Sequence, residues 1–160
     1  MNIVNARVDD RLIHGQVATL WINYLKATRI MVIDDEVINE PMSKLAIKTA
    51  CPAGLKLSIL ARESAAKNIL DNKYQDENLF IIVKSPKTLL FLIEKGVDIK
   101  EITLGNMKGK ENSFLLKKSV SVDQNDVEVL KKLIALNINL IVQIIPSDER
   151  SPVEPLLKEH

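Results

Sequence analysis

Hydrophobic and polar positions follow two different patterns along the chain, and these patterns alternate. Short and mostly apolar runs rich in β-branched residues predict strands at residues 3–8, 30–33, 57–60, 79–83, 101–104 and 139–145. Between these runs, apolar residues recur at helical spacing and predict helices over 15–26, from 41 onward, and over 62–70, 86–95 and 123–136. The run at 79–83, "LFIIV", is apolar throughout and predicts a central strand buried on both faces.

Local start and stop signals support several of these helices. Asn39 is the expected N-cap of the second helix, with Pro41 in its first turn. Ser85 caps the fourth helix, Pro86 opens it and Gly96 ends it. Residues 115–122 are predicted to form one extended segment. The tail after about residue 146 contains three prolines and many charges, so we expect it to lie on the surface.

Strands that alternate with helices predict the α/β class, with an open, mostly parallel β-sheet and helices on both faces. The length of 160 residues predicts a single domain over residues 1–160. In such sheets ligands bind at the carboxyl ends of the strands. Four loops therefore belong to one candidate edge, namely residues 9–14, 34–41, 84–86 and 105–110.

Composition removes several classes of function. The net charge of +1 gives no reason to expect nucleic acid or an anionic membrane surface, and 4% aromatic residues are too few for base stacking. A single cysteine, Cys51, excludes an internal disulfide and favours a reducing cytoplasm. No secretory leader is apparent, and the apolar runs are far shorter than the roughly 20 residues of a membrane span.

The first predicted βα loop, "DDRLIHG", carries the strongest candidate chemistry. A neutral imidazole at His14 offers a nucleophilic lone pair, and the start of a helix offers free N–H groups to an attached anion. Gly15 would let the backbone approach closely, and Arg11 can bind a phosphoryl group with a fork of donors. Asp9 or Asp10 could orient these groups, and Asp10 is the first choice because it adjoins Arg11. The loop thus fits a phosphohistidine site.

Other interpretations of these residues stay open at this point. A histidine near a helix start is often a partly exposed residue bonded to backbone, and "DDR" is often a solvated turn. Two histidines and one cysteine make a zinc site less favoured. Cys51 fits a small buried apolar role better than a nucleophile. "GNMKGK" lacks the spacing and the hydroxyl residue of a phosphate-binding Walker loop, and no dinucleotide fingerprint is present.

Further polar residues fall in the other loops of the same predicted edge. Asp35 follows the second strand, Lys84 and Ser85 follow the fourth, and Asn106 lies in the loop after the fifth. A plainer explanation exists for three of them. Capping alone would explain Ser85, a solvated turn would explain Asp35, and a tight turn would explain Asn106.

The string "VDDRLIHGQVATLW" closely resembles the phosphorylation loop of the IIB subunits of the mannose/fructose/sorbose family of the bacterial phosphoenolpyruvate-dependent sugar phosphotransferase system. The resemblance continues in order through "VIDDEV", "KTACPAGLKLSIL", "VKSPKTLLFLIEKGVDIKEITLGNM" and "KKSVSVDQNDVEVLKKL". It covers nearly the whole chain without a large gap.

This resemblance implies a protein-Npi-phosphohistidine–sugar phosphotransferase. His14 would accept a phosphoryl group from a phospho-IIA protein or domain and pass it to a sugar carried by the IIC and IID membrane subunits. Arg11 would be the phosphate clamp, and Gly15, Gln16, Asp35, Lys84, Ser85 and Asn106 would contact the phosphate or the partners. No cofactor, metal or nucleic acid is implied. The expected location is the cytoplasm, at the inner face of the membrane through IIC and IID.

The resemblance leaves the sugar open among mannose, fructose, sorbose and amino sugars. Two alternative functions also remain. A regulatory module could signal sugar supply through phosphorylation of His14 without transport. A small-molecule-binding α/β domain without phosphoryl chemistry would fit the fold but would leave the histidine loop unexplained.

Overall fold

The computed structural model describes residues 1–159 and has one large sheet at its centre. The strands are β1 (Asn2–Asp9), β2 (Arg29–Ile33), β3 (Lys56–Leu60), β4 (Asn78–Val83), β5 (Glu101–Asn106), β6 (Phe114–Lys117), β7 (Val120–Val122), β8 (Asn139–Val142) and β9 (Ser151–Pro152). The helices are α1 (Gly15–Leu25), α2 (Pro41–Ala50), α3 (Arg62–Leu70), α4 (Pro86–Glu94), α5 (Gln124–Ala135) and α6 (Val153–Lys158), with a short 3-10 helix at Val37–Asn39.

Seven strands form the sheet in the order β3-β2-β4-β1-β5-β8-β9, and all pairs are parallel except β8 with β9. The predicted α/β class and mostly parallel sheet are confirmed. β1 lies between β4 and β5, and the chain fills one side of β1 before it crosses to the other. The carboxyl end of β1 is therefore a topological switch point, where the flanking loops diverge and leave a crevice.

Side chains alternate between two cores on opposite faces of the sheet. One core lies under α1 and α2 and contains Trp21, Ile22, Ile30, Val32, Phe80 and Ile82. The other lies under α3 to α6 and contains Met31, Ile33, Ile81, Leu89, Leu130 and Val153. Because adjacent residues of a strand point to opposite faces, β2 and β4 contribute to both cores, which explains their continuous apolar runs.

β1 differs from its neighbours because its α1-facing positions are polar. Ala6 and Val8 point into the core under α3 to α6. Asn5, Arg7 and Asp9 alternate with them and are 8%, 2% and 2% exposed. Buried polar groups need partners, so these side chains demand specific contacts at this end of the sheet.

The predicted Ser85 cap is present, and the predicted Asn39 cap is not. Ser85 accepts a hydrogen bond from Lys87 N at the start of α4, and Asp123 forms a reciprocal capping box with Asp126 at α5. The prediction of Asn39 as the cap of α2 was wrong, because Glu40 is the N-cap residue and Asn39 lies in the 3-10 helix.

Two segments fold differently from the sequence-based expectation. Residues 115–122 do not form one extended piece, because the chain reverses with Ser119 at φ +64° and β6 pairs with β7 as an antiparallel hairpin. The strand predicted at 139–145 ends at Val142, where Gln143 begins the turn that leads to β9.

The expectation of a surface tail after about residue 146 was wrong for residues 151–157. β9 pairs with the edge of β8, Val153 is fully buried and Leu157 is 8% exposed. The charged positions of the tail face solvent while its few apolar positions complete the core. The physical reason is that β8 would otherwise be an unpaired edge strand.

We predict that Leu157→Ala lowers the free energy of unfolding by about 2–4 kcal/mol, because it removes buried apolar volume from the core under α6. Denaturant unfolding measures the change. Leu45→Ala is the matched control, since Leu45 lies on α2 with 57% exposure, and it should cost less than about 0.5 kcal/mol. Equal losses for the two variants would contradict the integration of the tail into the core.

Candidate functional site

The loop that follows β1 buries its apolar residues in the core and leaves its charged and histidine residues at the surface. Leu12 and Ile13 are each 6% exposed and pack into the core under α1, whereas Arg11 and His14 are exposed. Leu12 N donates to Asp9 O at 2.9 Å and closes the turn, with Leu12 at φ +61°. A leucine in this backbone region is strained, so the burial of its side chain holds the turn in place.

Asp9 fixes the side chain of Arg11. The Asp9 carboxylate accepts from Arg11 N at 3.0 Å, Nε at 3.0 Å and the terminal nitrogen Nη2 at 2.9 Å. The Asp9 side chain is 3% exposed, while that of Arg11 is 35% exposed. The hydrogen bond to Asp9 raises the pKa of Arg11 above its usual value. The first choice of Asp10 as the orienting aspartate was wrong, because Asp9 holds both the backbone and the guanidinium.

Asp10 instead joins the β1 loop to the β5 loop. Its carboxylate accepts from Asn106 Nδ2 at 2.6 Å and from Lys108 N at 2.6 Å, and Asp10 N donates to Asn106 O at 3.1 Å. The structure thus brings Asn106 beside the histidine loop, as predicted. The two loops that flank the crevice form one connected surface.

His14 is the N-cap residue of α1 and is exposed, with no hydrogen bond from its side chain to the helix end. Its backbone is extended at φ −133° and ψ 102°, and Gly15 follows at φ +47°. A Cβ on Gly15 would meet nothing within 4 Å, so the glycine is explained by its left-handed backbone. The first turn of α1 contains no acidic residue, so its free N–H groups face solvent beside Gly15 and Gln16 without a competing carboxylate.

The other predicted site residues lie at different distances from this loop along the sheet edge. Lys84 and Ser85 follow β4, the direct neighbour of β1, and Lys84 Nζ lies 4.0 Å from Asp34 Oδ2. The Ser85 hydroxyl is engaged by Lys87 N. Asp35 follows β2, beyond β4, and forms an ion pair with Arg62 at 3.1 Å. The structure therefore does not bring Asp35 to the histidine loop.

Sequence reasoning missed Arg7, a buried arginine beneath the loop. Its two terminal nitrogens donate to Gln143 O and Ile144 O, each at 2.7 Å. Its guanidinium carbon lies 4.8 Å from the Trp21 ring centroid. Burial lowers the pKa of Arg7 to about 10. The signal for it in the sequence was the alternation of Asn5, Arg7 and Asp9 along and just after the first predicted strand.

Gly105 makes room for this arginine. A Cβ at Gly105 would lie 2.1 Å from Arg7 Nη2, so any other residue here would force the guanidinium to shift. The pairing register between β1 and β5 shifts here, from Val8 opposite Leu104 to Asp9 opposite Asn106, and leaves Gly105 as the extra residue. The glycine of the "GNM" sequence thus serves the buried guanidinium beneath the loop.

A small cavity of about 10 Å³ separates the loop from this buried layer, and it is lined by Arg7, Asp9, His14 and Trp21 among others. Among residues 1–159, no group of three or more histidine, cysteine, aspartate or glutamate residues could hold a metal ion. Within the same residues, every helix is too short or too polar to span a bilayer. The arrangement suits an anion attached to His14, with Arg11 and the start of α1 as its donors.

Known proteins share the sequence and the fold of this chain. The family described as "PTS system sorbose subfamily IIB component" matches residues 3–160. The chain belongs to this IIB family. IIB components of the sugar phosphotransferase system take a phosphoryl group from IIA and pass it to a sugar, so they act as phosphotransferases in sugar uptake.

Relatives of this IIB chain match it over almost its full length. The sorbose-specific EIIB component of Klebsiella pneumoniae is 34% identical over 148 residues, which cover 92% of this chain and 90% of the relative. The fructose-specific EIIB component of Bacillus subtilis is 33% identical and covers 99% and 97%. The crystal structure of the IIBSor domain of the Klebsiella pneumoniae sorbose permease superposes with a TM-score of 0.95 at 32% identity, covering 99% and 98%.

We predict that Asp9→Asn, and not Asp10→Asn, releases the Arg11 side chain. Removing the carboxylate weakens two charge-assisted hydrogen bonds, so the Arg11 Nε proton should exchange with water about tenfold faster. Nuclear magnetic resonance of the arginine side chains measures this rate. Asp10→Asn is the matched control and should leave the rate close to that of the wild type; the reverse ranking would restore Asp10 as the orienting group.

Proposed function

We propose that this IIB chain accepts a phosphoryl group on His14 from a phospho-IIA protein and passes it to a sugar during uptake through IIC and IID membrane subunits. The observation that carries the proposal is the exposed His14 at the start of α1, three residues after an arginine that a buried carboxylate holds in place. Nucleophile, helix end and fixed cation lie within one short loop. The proposed class is a protein-Npi-phosphohistidine–sugar phosphotransferase.

The chemistry is a direct transfer between nitrogen nucleophiles and then to oxygen. The His14 imidazole attacks the phosphorus of the donor phosphohistidine, a new P–N bond forms, and the donor imidazole leaves with the electron pair of the broken bond. A sugar hydroxyl later attacks the same phosphorus and forms a P–O bond. The P–N bond breaks with its electron pair on His14, and the hydroxyl proton passes to solvent. Because the phosphoramidate already has high transfer potential, the step needs neither a metal nor a nucleotide on this chain.

Arg11 contributes in both steps as the phosphate clamp. Its fork donates to the equatorial oxygens, where negative charge is spread in the transition state, and the N–H groups at the start of α1 add to this stabilisation. Asp9 occupies Nε and one terminal nitrogen of Arg11, so the remaining N–H groups are aimed away from Asp9 and are available to the phosphoryl group. Preorganisation of this kind lowers the cost of ordering the side chain during transfer.

Supporting contacts are assigned according to their position. We propose that Gly15 and Gln16, exposed in the first turn of α1, line the phosphate loop. Asn106 and Lys84 flank it from β5 and β4, and Asp10 acts by holding the β5 loop. Asp35 and Ser85 are engaged elsewhere, so they belong at most to the surface that meets partners.

The IIA partner is supported by the architecture of a relative. The mannose-specific EIIAB component of Escherichia coli is 32% identical over 154 residues, and this chain spans 48% of that protein, so there the IIB part is joined to IIA. The IIC and IID subunits are proposed from the family's role in uptake. This assignment places the chain on the cytoplasmic side of the membrane, where it associates peripherally.

We predict that incubation with phosphoenolpyruvate, the general phosphotransferase proteins and a sorbose-family IIA gives one acid-labile phosphate per chain. His14→Ala should abolish the label because it removes the attacking nitrogen. Mass spectrometry at neutral pH counts the added phosphate. His160→Ala is the matched control, since His160 is the only other histidine, and it should retain the label. Full labelling of His14→Ala would overturn the assignment.

We predict that Arg11→Lys slows the transfer from phospho-IIA by about a hundredfold, because an ammonium group cannot reproduce the planar fork. Rapid-quench measurement of phosphorylation at saturating donor gives the rate. Arg62→Lys is the control, since Arg62 also pairs with an aspartate at this sheet edge and lies beyond β4. A rate for Arg11→Lys near that of the control would refute the clamp.

A further inference from the structure

The buried guanidinium of Arg7 has an unusual environment for a cation. It is 2% exposed, and its two terminal nitrogens donate to backbone carbonyls and not to a carboxylate. The nearest carboxylate is that of Asp9, which attracts Arg7 electrostatically while it bonds to Arg11. Asp9 thus forms its side-chain hydrogen bonds with Arg11 and acts on Arg7 only through space, so no carboxylate is hydrogen-bonded to the Arg7 guanidinium.

Arg7 connects three elements at this end of the sheet. It starts from β1, ends on the carbonyls of Gln143 and Ile144 that follow β8, and stacks against Trp21 of α1. Trp21 Nε1 donates to the same Ile144 O at 2.9 Å. The orientation of α1, and with it the position of His14 at its start, therefore depends on a contact network centred on this arginine.

The position of Arg7 also links it to the phosphate clamp. Arg7 and Asp9 are two residues apart on one strand, so their side chains point to the same face. Both line the small cavity that His14 also lines. A displaced Arg7 would change the electrostatic potential at Asp9 and remove one of the side chains that line the cavity beneath the loop.

We infer that Arg7 is a positioning residue for phosphoryl transfer, which acts from beneath the loop on the Asp9–Arg11 pair and on the N-terminus of α1. This inference rests on the proposed function. Arg7 cannot touch the donor, because it is buried. Its charge stabilises an anion on His14 at a distance, in a part of the structure where little water screens it.

A purely structural role explains the observations less well. Burying an uncompensated charge costs several kcal/mol, and apolar residues often replace buried ionic groups without loss of stability. Level with Arg7, β4 and β2 have the apolar residues Ile82 and Val32, whereas β5 has Thr103 on the other side. A cation at this one place, directly behind the histidine loop, is explained by the anion that the loop receives.

The test uses three variants of the full chain that disturb Arg7 in different ways, each in a His160→Ala background. Arg7→Met removes the charge, Arg7→Lys keeps the charge without the fork, and Gly105→Ala displaces the guanidinium. Phosphorylation is followed with two donors, a phospho-IIA protein and the small molecule phosphoramidate. With phosphoramidate, the imidazole attacks phosphorus and ammonia leaves, so no docking surface is involved.

Arg29→Met is the matched control. Arg29 is a second partly buried arginine stacked on an aromatic ring, 5.0 Å from the Tyr74 centroid, and it bonds to Glu77 at the amino end of the sheet. Its loss should reduce the thermal stability without changing the transfer rate. Thermal unfolding of all variants separates damage to the fold from damage to transfer.

The expected result is a loss of about tenfold or more in the rates with both donors for folded Arg7→Met and Gly105→Ala. Arg7→Lys should recover part of the loss, because it restores the charge. Wild-type rates in folded Arg7→Met and Gly105→Ala, or slow transfer from phospho-IIA alone, would overturn the inference, and so would failure of all three variants to fold. If the wild-type chain itself takes no phosphate on His14, the proposed function fails instead.

Discussion

The site depends on the pairing of β1 along both of its edges. Parallel hydrogen bonds to β4 and β5 fix the backbone of β1 up to Asp9, so the direction of every side chain near its end is set by the sheet. The polar positions on one face must then find partners inside the protein, and they do so through Arg7, Asp9 and the loop. A flexible loop on a less constrained strand would have to order these groups at each turnover, at a cost of about 1–2 kcal/mol per backbone residue.

The charges at the carboxyl edge are arranged in two layers. Arg11 forms the outer layer, with about one third of its side chain exposed, and its partner carboxylate is almost fully buried. Arg7 forms the inner layer, with main-chain carbonyls as its partners. The inner charge is poorly screened, and Asp9 holds the outer one in place. An anion on His14, as proposed, would therefore meet a field that exists before it arrives, which is the condition for effective electrostatic catalysis.

Periodicity predicted most strands and helices of this fold, because buried strands and amphipathic helices have clear local patterns. It failed where pairing partners are distant in sequence. The hairpin at 114–122 and the return of the tail to β8 depend on contacts that no local pattern encodes. The contact between Asp9 and Arg11 depends on the turn that Leu12 N closes onto Asp9 O, so adjacency to Arg11 favoured the wrong aspartate. Gly105 could be understood only when Arg7 was seen next to it.

The pairing of the tail with β8 also determines where this sheet can grow. Within residues 1–159, one edge of the sheet ends in β9, which has two residues, one of them a proline without an N–H group. The opposite edge is β3, a five-residue strand with a free hydrogen-bonding side. Within the large sheet, main-chain pairing with a strand of another molecule is therefore favoured at the β3 edge. That edge lies three strands away from β1, so intermolecular strand addition and access to the histidine loop can occur independently of each other.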